Sequence, residues 1–189
     1  MERLEQTGKK YKINGDDIQA RKKTNNKWFE TQDSISYWED FSRQKIMWAE
    51  TMRIRKDNKE RFPRFSFTSE KIVTDKTCFI AVGTDLKYLI GCLNSKISRY
   101  QLSQLVSMMD NGGYLMQKIY IEQVKIPPAS ENLKKKISDL VDSLISSTKS
   151  DERTRIEDEI DEVIFRAYSI SDREIKYLDM LLSKPLKSR

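Results

Sequence analysis

The spacing of apolar residues changes from strand-like to helical at about Asp85, and this change limits the folds open to the chain. Before it, short apolar segments bounded by turn residues predict strands at Lys45–Ala49 and at residues 65–67 and 77–82. After it, apolar residues recur every three or four positions, as on one side of a helix: Leu86, Leu89, Ile90, Leu93, Ile97 and Tyr100. The sequence therefore predicts both strands and helices.

The last third of the chain predicts three helices. Ser130 is a candidate N-cap for the first, and apolar spacing over residues 151–167 predicts the second. Ser171 and Glu174 have the spacing of a capping box at the start of the third. Before these helices, apolar and polar residues alternate over residues 115–126, and this alternation predicts a strand. Two prolines end it.

Together these patterns predict an α/β fold of the α+β type. We expect a twisted mixed sheet with packed helices over residues 1–128, and a helical hairpin that serves as a spacer or docking segment over residues 129–189. No apolar run approaches the roughly 20 residues of a membrane span, and the charged, polar start is not a secretory signal. We therefore expect a cytoplasmic protein without a membrane partner.

The chain contains no histidine, which removes the commonest general base and most zinc and non-haem iron sites. Cys78 and Cys92 make no CxxC pair, and we expect two ordinary buried thiols. No glycine-rich phosphate loop is present. We predict no catalytic, cofactor-binding or metal-binding residue. A carboxylate-dependent nuclease or transferase stays open as an alternative, with three candidate acidic clusters: Asp16-Asp17, Glu39-Asp40 and Glu157-Asp158-Glu159.

Positive charge is concentrated in the first two thirds of the chain. Residues 1–64 hold 16 Lys and Arg against 11 Asp and Glu, and residues 65–128 hold 7 against 5. Residues 129–189 hold 12 against 13, so the helical part is nearly balanced. This distribution favours a polyanionic partner for the part that we predict to contain the sheet.

The charged segment at residues 53–64 is the best candidate for contact with that partner. Its arginines can bridge phosphates or bind guanine edges with two hydrogen bonds, and Phe62 and Phe65, which are interleaved with the basic residues, could stack on bases. A solvated, charged loop is the alternative. Residues 71–76 and 110–113 are the next candidates. The predicted DNA-binding residues are Arg53, Arg55, Lys56, Lys59, Arg61, Arg64, Lys71 and Lys76.

Four pieces of sequence, in order, resemble the TaqI-like C-terminal specificity domain of type IIG restriction enzymes and adenine-N6 DNA methyltransferases. They are YWEDF running into KIMW (residues 37–48), YLIGCLNSK (88–96), YIEQVKIP (120–127), and IEDEID with AYSIS (156–171). The pattern is also similar to the recognition subunits of type I restriction systems. These pieces span most of the chain.

The resemblance implies a non-catalytic target-recognition domain that binds double-stranded DNA. Methyltransferases of this family bind S-adenosylmethionine and use an (N/D)PPY motif, but Pro127-Pro128 here lack the flanking residues of that motif. The resemblance therefore implies that methyltransferase and endonuclease domains outside this chain are its partners. They would bind S-adenosylmethionine, and Mg²⁺ if a nuclease is present. The alternative function is a helical protein-interaction or scaffold module without DNA specificity.

Overall fold

The computed structural model of the protein describes residues 10–13, 16–19, 36–53, 62–109 and 113–183. Its contacts divide the chain into two units, Met1–Trp38 and Glu39–Arg189. In the first unit, β1 (Lys10–Ile13) pairs antiparallel with β2 (Asp16–Gln19).

A short 3-10 helix, Trp38–Ser42, includes the boundary between the two units. The second unit continues into β3 (Lys45–Ala49), which lies where the sequence predicts it. After β4 (Thr51–Arg53), the chain returns as β5 (Ser66–Thr68) and β6 (Cys78–Ala81). The strands β5 and β6 pair antiparallel with the two edges of β3, so β3 is the centre of the first three-stranded sheet.

A second three-stranded sheet is built around β8 (Gly113–Leu115), with β4 and β7 (Ser107–Met108) as its edges. Only Glu50 separates β3 from β4, so one stretch of backbone supplies the centre of the first sheet and an edge of the second. Met116, which directly follows β8, extends the pairing of β8 with this stretch, because its backbone N donates to Glu50 O at 2.7 Å.

The α+β fold class is confirmed. All strand pairs in the described parts of the chain are antiparallel, and the strands form three small separate sheets. The single mixed sheet that we expected is therefore not found among the described residues. The same described parts contain six α-helices: α1 (Leu86–Leu93), α2 (Lys96–Leu105), α3 (Lys118–Ile121), α4 (Glu131–Ser146), α5 (Ser150–Ala167) and α6 (Asp172–Ser183).

Serine side chains set the starts of three of these helices. Ser130 Oγ accepts a hydrogen bond from Leu133 N at 3.3 Å, so the predicted N-cap is confirmed. The predicted capping box is also confirmed, because Ser171 N donates to Glu174 Oε2 and Glu174 N donates to Ser171 Oγ. Ser95 is a cap that the apolar spacing did not predict, and it divides the single helical stripe after Asp85 into α1 and α2.

The predicted strand at residues 115–126 is wrong. The strand β8 ends at Leu115, and α3 occupies part of the segment. Beyond α3, the Gln101 side chain replaces a partner strand: its Oε1 accepts from Lys125 N at 2.9 Å, and its Nε2 donates to Lys125 O at 3.1 Å. Tyr168 also donates to Lys125 O. The backbone polar groups of Lys125 are therefore satisfied without a sheet.

Sheets and helices share one hydrophobic core within the second unit. Its fully buried members include Ile46 in β3, Ile137 in α4 and Ile164 in α5. The division that we predicted at residue 128 between a recognition domain and a spacer stays a prediction about function. None of the described helices is both long and apolar enough to span a membrane.

Candidate nucleic-acid interface

Each of the four predicted DNA-binding residues that the structure describes lies beside a different strand end. Arg53 ends β4, Arg64 precedes β5, Lys71 follows β5, and Lys76 precedes β6. The other four predicted residues lie outside the described parts of the chain: Arg55, Lys56, Lys59 and Arg61.

Arg53 lies opposite Gly113 in the second sheet. The register pairs Thr51 with Leu115, Met52 with Tyr114, and Arg53 with Gly113. Because side chains alternate along a strand, the exposed Thr51 and Arg53 share one face, whereas Met52 lies on the other and packs against the core. The basic segment therefore starts opposite Gly113, which belongs to one of the two further candidates from the sequence, residues 110–113.

The described chain resumes at Phe62, which is fixed to the same sheet. Its ring is buried and lies 5.0 Å, centroid to centroid, from the ring of Tyr114. Tyr114 is the β8 residue next to Gly113. Both ends of the segment between Arg53 and Phe62 are thus attached at adjacent positions of one strand. Phe62, which we considered as a residue that stacks on bases, is instead a core residue.

Arg64 is engaged inside the protein. Its guanidinium lies 2.6 Å from Glu157 Oε1 in α5, and both side chains are partly buried. Phe65, the second aromatic residue of the basic segment, is also in the core and packs against Trp48 at 5.9 Å. The structure therefore places Arg64 against α5 and Phe65 in the core.

Lys71 and Lys76 are both exposed and lie at opposite ends of β3. Glu70 O accepts from the Lys45 side chain at the start of β3, and Thr77 O accepts from Glu50 N just beyond its end. At about 3.3 Å per residue, the two anchoring residues on the β3 side, Lys45 and Glu50, are roughly 15 Å apart. Lys76 is therefore the nearer of the two lysines to β4, whose first residue follows Glu50.

Trp48 of the first sheet is hydrogen-bonded to the residue that follows the central strand of the second sheet. Its Nε1 donates to Met116 O at 2.8 Å, and its ring stacks on Phe79 at 5.4 Å. Met116 is completely buried and directly follows β8. The second sheet, in which Arg53 pairs with Gly113 at one end, is thus attached at its other end to the buried Trp48.

The pairing of β7 with β8 was missed in the sequence. Ser107 pairs with Leu115 and Met108 with Tyr114, and Met109 N donates to Gly113 O at 2.7 Å. These contacts make β7 and β8 a hairpin, whose connecting residues 110–112 lie outside the described ranges. Asn-Gly between short apolar segments is a strong hairpin signal, and it could have predicted this pairing.

A cavity of about 750 Å³ lies between the helices and β5. Lys96, Asp161 and Asp179 are among the residues that line it. Lys96 Nζ lies 3.1 Å from Asp179, and Lys96 N donates to Asp161 Oδ1 at 2.8 Å. Burial raises the pKa of the Asp161 carboxyl to about 6. These contacts join α2, α5 and α6, and we assign the network a structural role.

Both cysteines are free thiols. Cys92 is buried, and burial raises the pKa of its thiol to about 12, so it stays protonated near neutral pH. Cys78 is half-buried, and burial likewise raises its pKa. Within the described ranges, no three Cys, Asp or Glu side chains are grouped as they would be to hold a metal ion.

Comparison of the sequence with protein-family models gives no match, and no curated protein matches it.

Proposed function

We propose that this chain is a non-catalytic DNA sequence-recognition domain of a restriction–modification enzyme. One observation carries the proposal: Arg53, where the basic segment starts, pairs with Gly113 of the β7–β8 hairpin. Phe62, near the other end of that segment, contacts the neighbouring Tyr114. Two candidate contact segments, about 60 residues apart in sequence, therefore leave from one end of one sheet. Specificity domains need this arrangement of variable segments on a fixed support.

The charge distribution supports DNA as the partner. The positive surplus lies in residues 1–128, and double-stranded DNA carries one phosphate charge about every 1.7 Å of its axis. In this proposal Lys56 and Lys59 bind phosphates, and at least one of Arg53, Arg55 and Arg61 contacts a base edge. The ion pair of Arg64 with Glu157 makes it the weakest of the predicted base contacts.

Methyl transfer and cleavage would then belong to domains outside this chain. Those domains would bind S-adenosylmethionine and, for a nuclease, Mg²⁺. The charge-balanced helical segment is the part that we propose docks onto them. Its surface supports this role, because Tyr177 and Met180 lie three residues apart on α6 and are both well exposed.

A salt titration of DNA binding tests the proposal. Fluorescence anisotropy of the full chain with a random-sequence duplex is measured between about 50 and 200 mM salt. We expect the logarithm of the association constant to fall linearly with that of the salt concentration, with a slope of about −0.9 for each neutralised phosphate. Lys56→Ala and Lys59→Ala should each make this slope shallower by about one.

Lys136→Ala provides the matched control, because Lys136 is exposed on the charge-balanced helix α4. It should leave both the affinity and the slope unchanged. A slope near zero for the wild-type chain would overturn the proposal and favour the protein-interaction alternative. Equal effects of Lys56→Ala, Lys59→Ala and Lys136→Ala would show that the basic segment is not the contact.

A further inference from the structure

The outward face of the second sheet carries a set of exposed side chains from all three strands. Residues that lie directly opposite each other in antiparallel strands point to the same side, so the register defines this face. It consists of two rows, Thr51, Leu115 and Ser107 in one, and Arg53, Gly113 and Met109 in the other. All of these residues except Leu115 and Gly113 are exposed.

Gly113 makes the centre of this face flat, because it lies on the central strand and has no side chain. The Met109 sulfur lies 3.9 Å from Thr51 Oγ1, although β8 separates β7 from β4. The Met109 side chain therefore crosses β8 over Gly113, which is buried. A larger residue at position 113 would occupy this path.

The hydrogen-bonding groups of the outward face match a phosphate. They are the guanidinium of Arg53 and the hydroxyl groups of Thr51 and Ser107, and Tyr120 adds a third hydroxyl 3.5 Å from Ser107 Oγ. The thioether that accepts from Thr51 is a weak acceptor, so a phosphate oxygen would be a better partner for that hydroxyl. None of the six residues of the face is acidic.

We propose that this outward face lies against the sugar–phosphate backbone of double-stranded DNA, with Arg53 and the hydroxyls of Thr51 and Ser107 at phosphates. This inference rests on the proposed function. Arginine, serine and threonine are typical phosphate-binding residues, and such contacts position a protein on the duplex without reading its sequence. Base readout then belongs to other segments of the chain.

The width of the face favours the backbone over the base edges. The outer two of three strands lie roughly 10 Å apart before their side chains are included. The major groove is about 12 Å wide and admits a helix or a two-stranded ribbon. A three-stranded sheet that presents its flat face is therefore too broad to enter the groove, whereas the backbone is accessible to it.

Arg53 gives the first test. Anisotropy titrations of the full chain are made with two duplexes of unrelated sequence. Arg53→Ala should weaken binding to both duplexes by the same factor and make the salt slope shallower by about one. Arg53→Lys keeps the charge and should keep the slope. Arg173→Ala removes an exposed arginine from α6 and should change neither the affinity nor the slope.

The hydroxyl groups should have a different signature in the same titrations. Thr51→Val keeps the shape of the side chain but removes its hydroxyl, and Ser107→Ala removes the other. Each should weaken binding to both duplexes by about tenfold. The salt slope should not change, because a neutral hydroxyl releases no counterion. Ser143→Ala, at an exposed position of α4, is the control and should bind like the wild type.

The outcomes separate this inference from the proposed function. A loss in Arg53→Ala that is confined to one duplex would indicate a base contact and would overturn the inference. An unchanged slope in Arg53→Ala, or wild-type affinity in both hydroxyl variants, would also overturn it. These results leave the proposed function standing when the wild-type chain binds in a salt-dependent manner. Absence of salt-dependent binding by the wild-type chain would overturn both.

Discussion

The side-chain amide of Asn94 bonds to both backbone polar groups of Phe65. Phe65 N donates to Asn94 Oδ1 at 2.9 Å, and Asn94 Nδ2 donates to Phe65 O at 3.0 Å. Asn94 is the residue that follows α1, and Phe65 directly precedes β5. The residue at the end of α1 therefore satisfies both backbone polar groups of the residue that precedes the edge strand β5.

Asn94→Ala should destabilise the fold, because it leaves a donor and an acceptor of the buried residue Phe65 without a partner. We expect the free energy of unfolding to fall by about 1–3 kcal/mol, measured by urea denaturation. Asn94→Asp should also destabilise, because a carboxylate cannot donate to Phe65 O. Asn132→Ala, at an exposed position of α4, is the control and should have little effect. Equal stabilities of the Asn94 and Asn132 variants would contradict the role of this pair.

Gly91→Ala should destabilise the packing of α1 on α4. A methyl group added at Gly91 would lie 2.5 Å from Ile137 Cγ2, and the β-branched Ile137 is fully buried and cannot easily turn away. We expect a loss of about 1–3 kcal/mol in the free energy of unfolding.

Gly83→Ala is the matched control, since an added methyl group there meets nothing within 4 Å. In an Ile137→Ala background, which removes the obstructing methyl, Gly91→Ala should become neutral or stabilising because alanine favours helix. An equal cost of Gly91→Ala in both backgrounds would refute the steric explanation.

Stability should depend on pH through Asp161. Burial raises the pKa of this carboxyl from 3.8 to about 6 in the folded chain, against the opposing effect of its bond from Lys96 N, while Asp158 and Asp179 raise it further. The folded chain thus binds this proton more tightly than the unfolded chain. The resulting stabilisation is complete below about pH 4 and is lost as the pH rises through about 6.

Asp161→Asn should therefore stabilise the chain, relative to wild type, by more at about pH 7.5 than at about pH 4.5. The two pKa values bound this difference at roughly 3 kcal/mol. Chemical denaturation at both pH values measures it, and Asp139→Asn, at an exposed position of α4, is the control. A difference between Asp161→Asn and wild type that does not change with pH would argue against a raised pKa.

Lys45→Met should destabilise the first sheet. Lys45 is completely buried, and its Nζ donates to three backbone carbonyls, those of Phe41, Arg43 and Glu70, at 2.9, 3.1 and 2.7 Å. Methionine has a similar length but no donor, so the carbonyls lose their partner at an expected cost on the order of 3 kcal/mol. Thermal unfolding measures the loss. Lys71→Met, at an exposed position, is the control, and an equal melting temperature for both variants would contradict the prediction.

Local sequence was sufficient to predict the structure wherever a residue's partners are only a few positions away. The apolar spacing of α4 and α5, the Ser130 cap and the Ser171–Glu174 capping box are local contacts, and each was predicted. The strand β3 was also predicted, because its residues are apolar and bounded by polar neighbours.

Tertiary structure decided whatever depends on distant partners. Residues 115–126 have the alternation of a strand, but Gln101 and Tyr168 supply the hydrogen bonds that a strand would need. The pairing of Arg53 with Gly113 joins positions 60 residues apart, and no local pattern indicates which strands meet. Composition determined that this chain has a basic part and a balanced helical part. The register of three short strands decided which basic residue lies beside the hairpin, because backbone pairing across a sheet is set by the whole core.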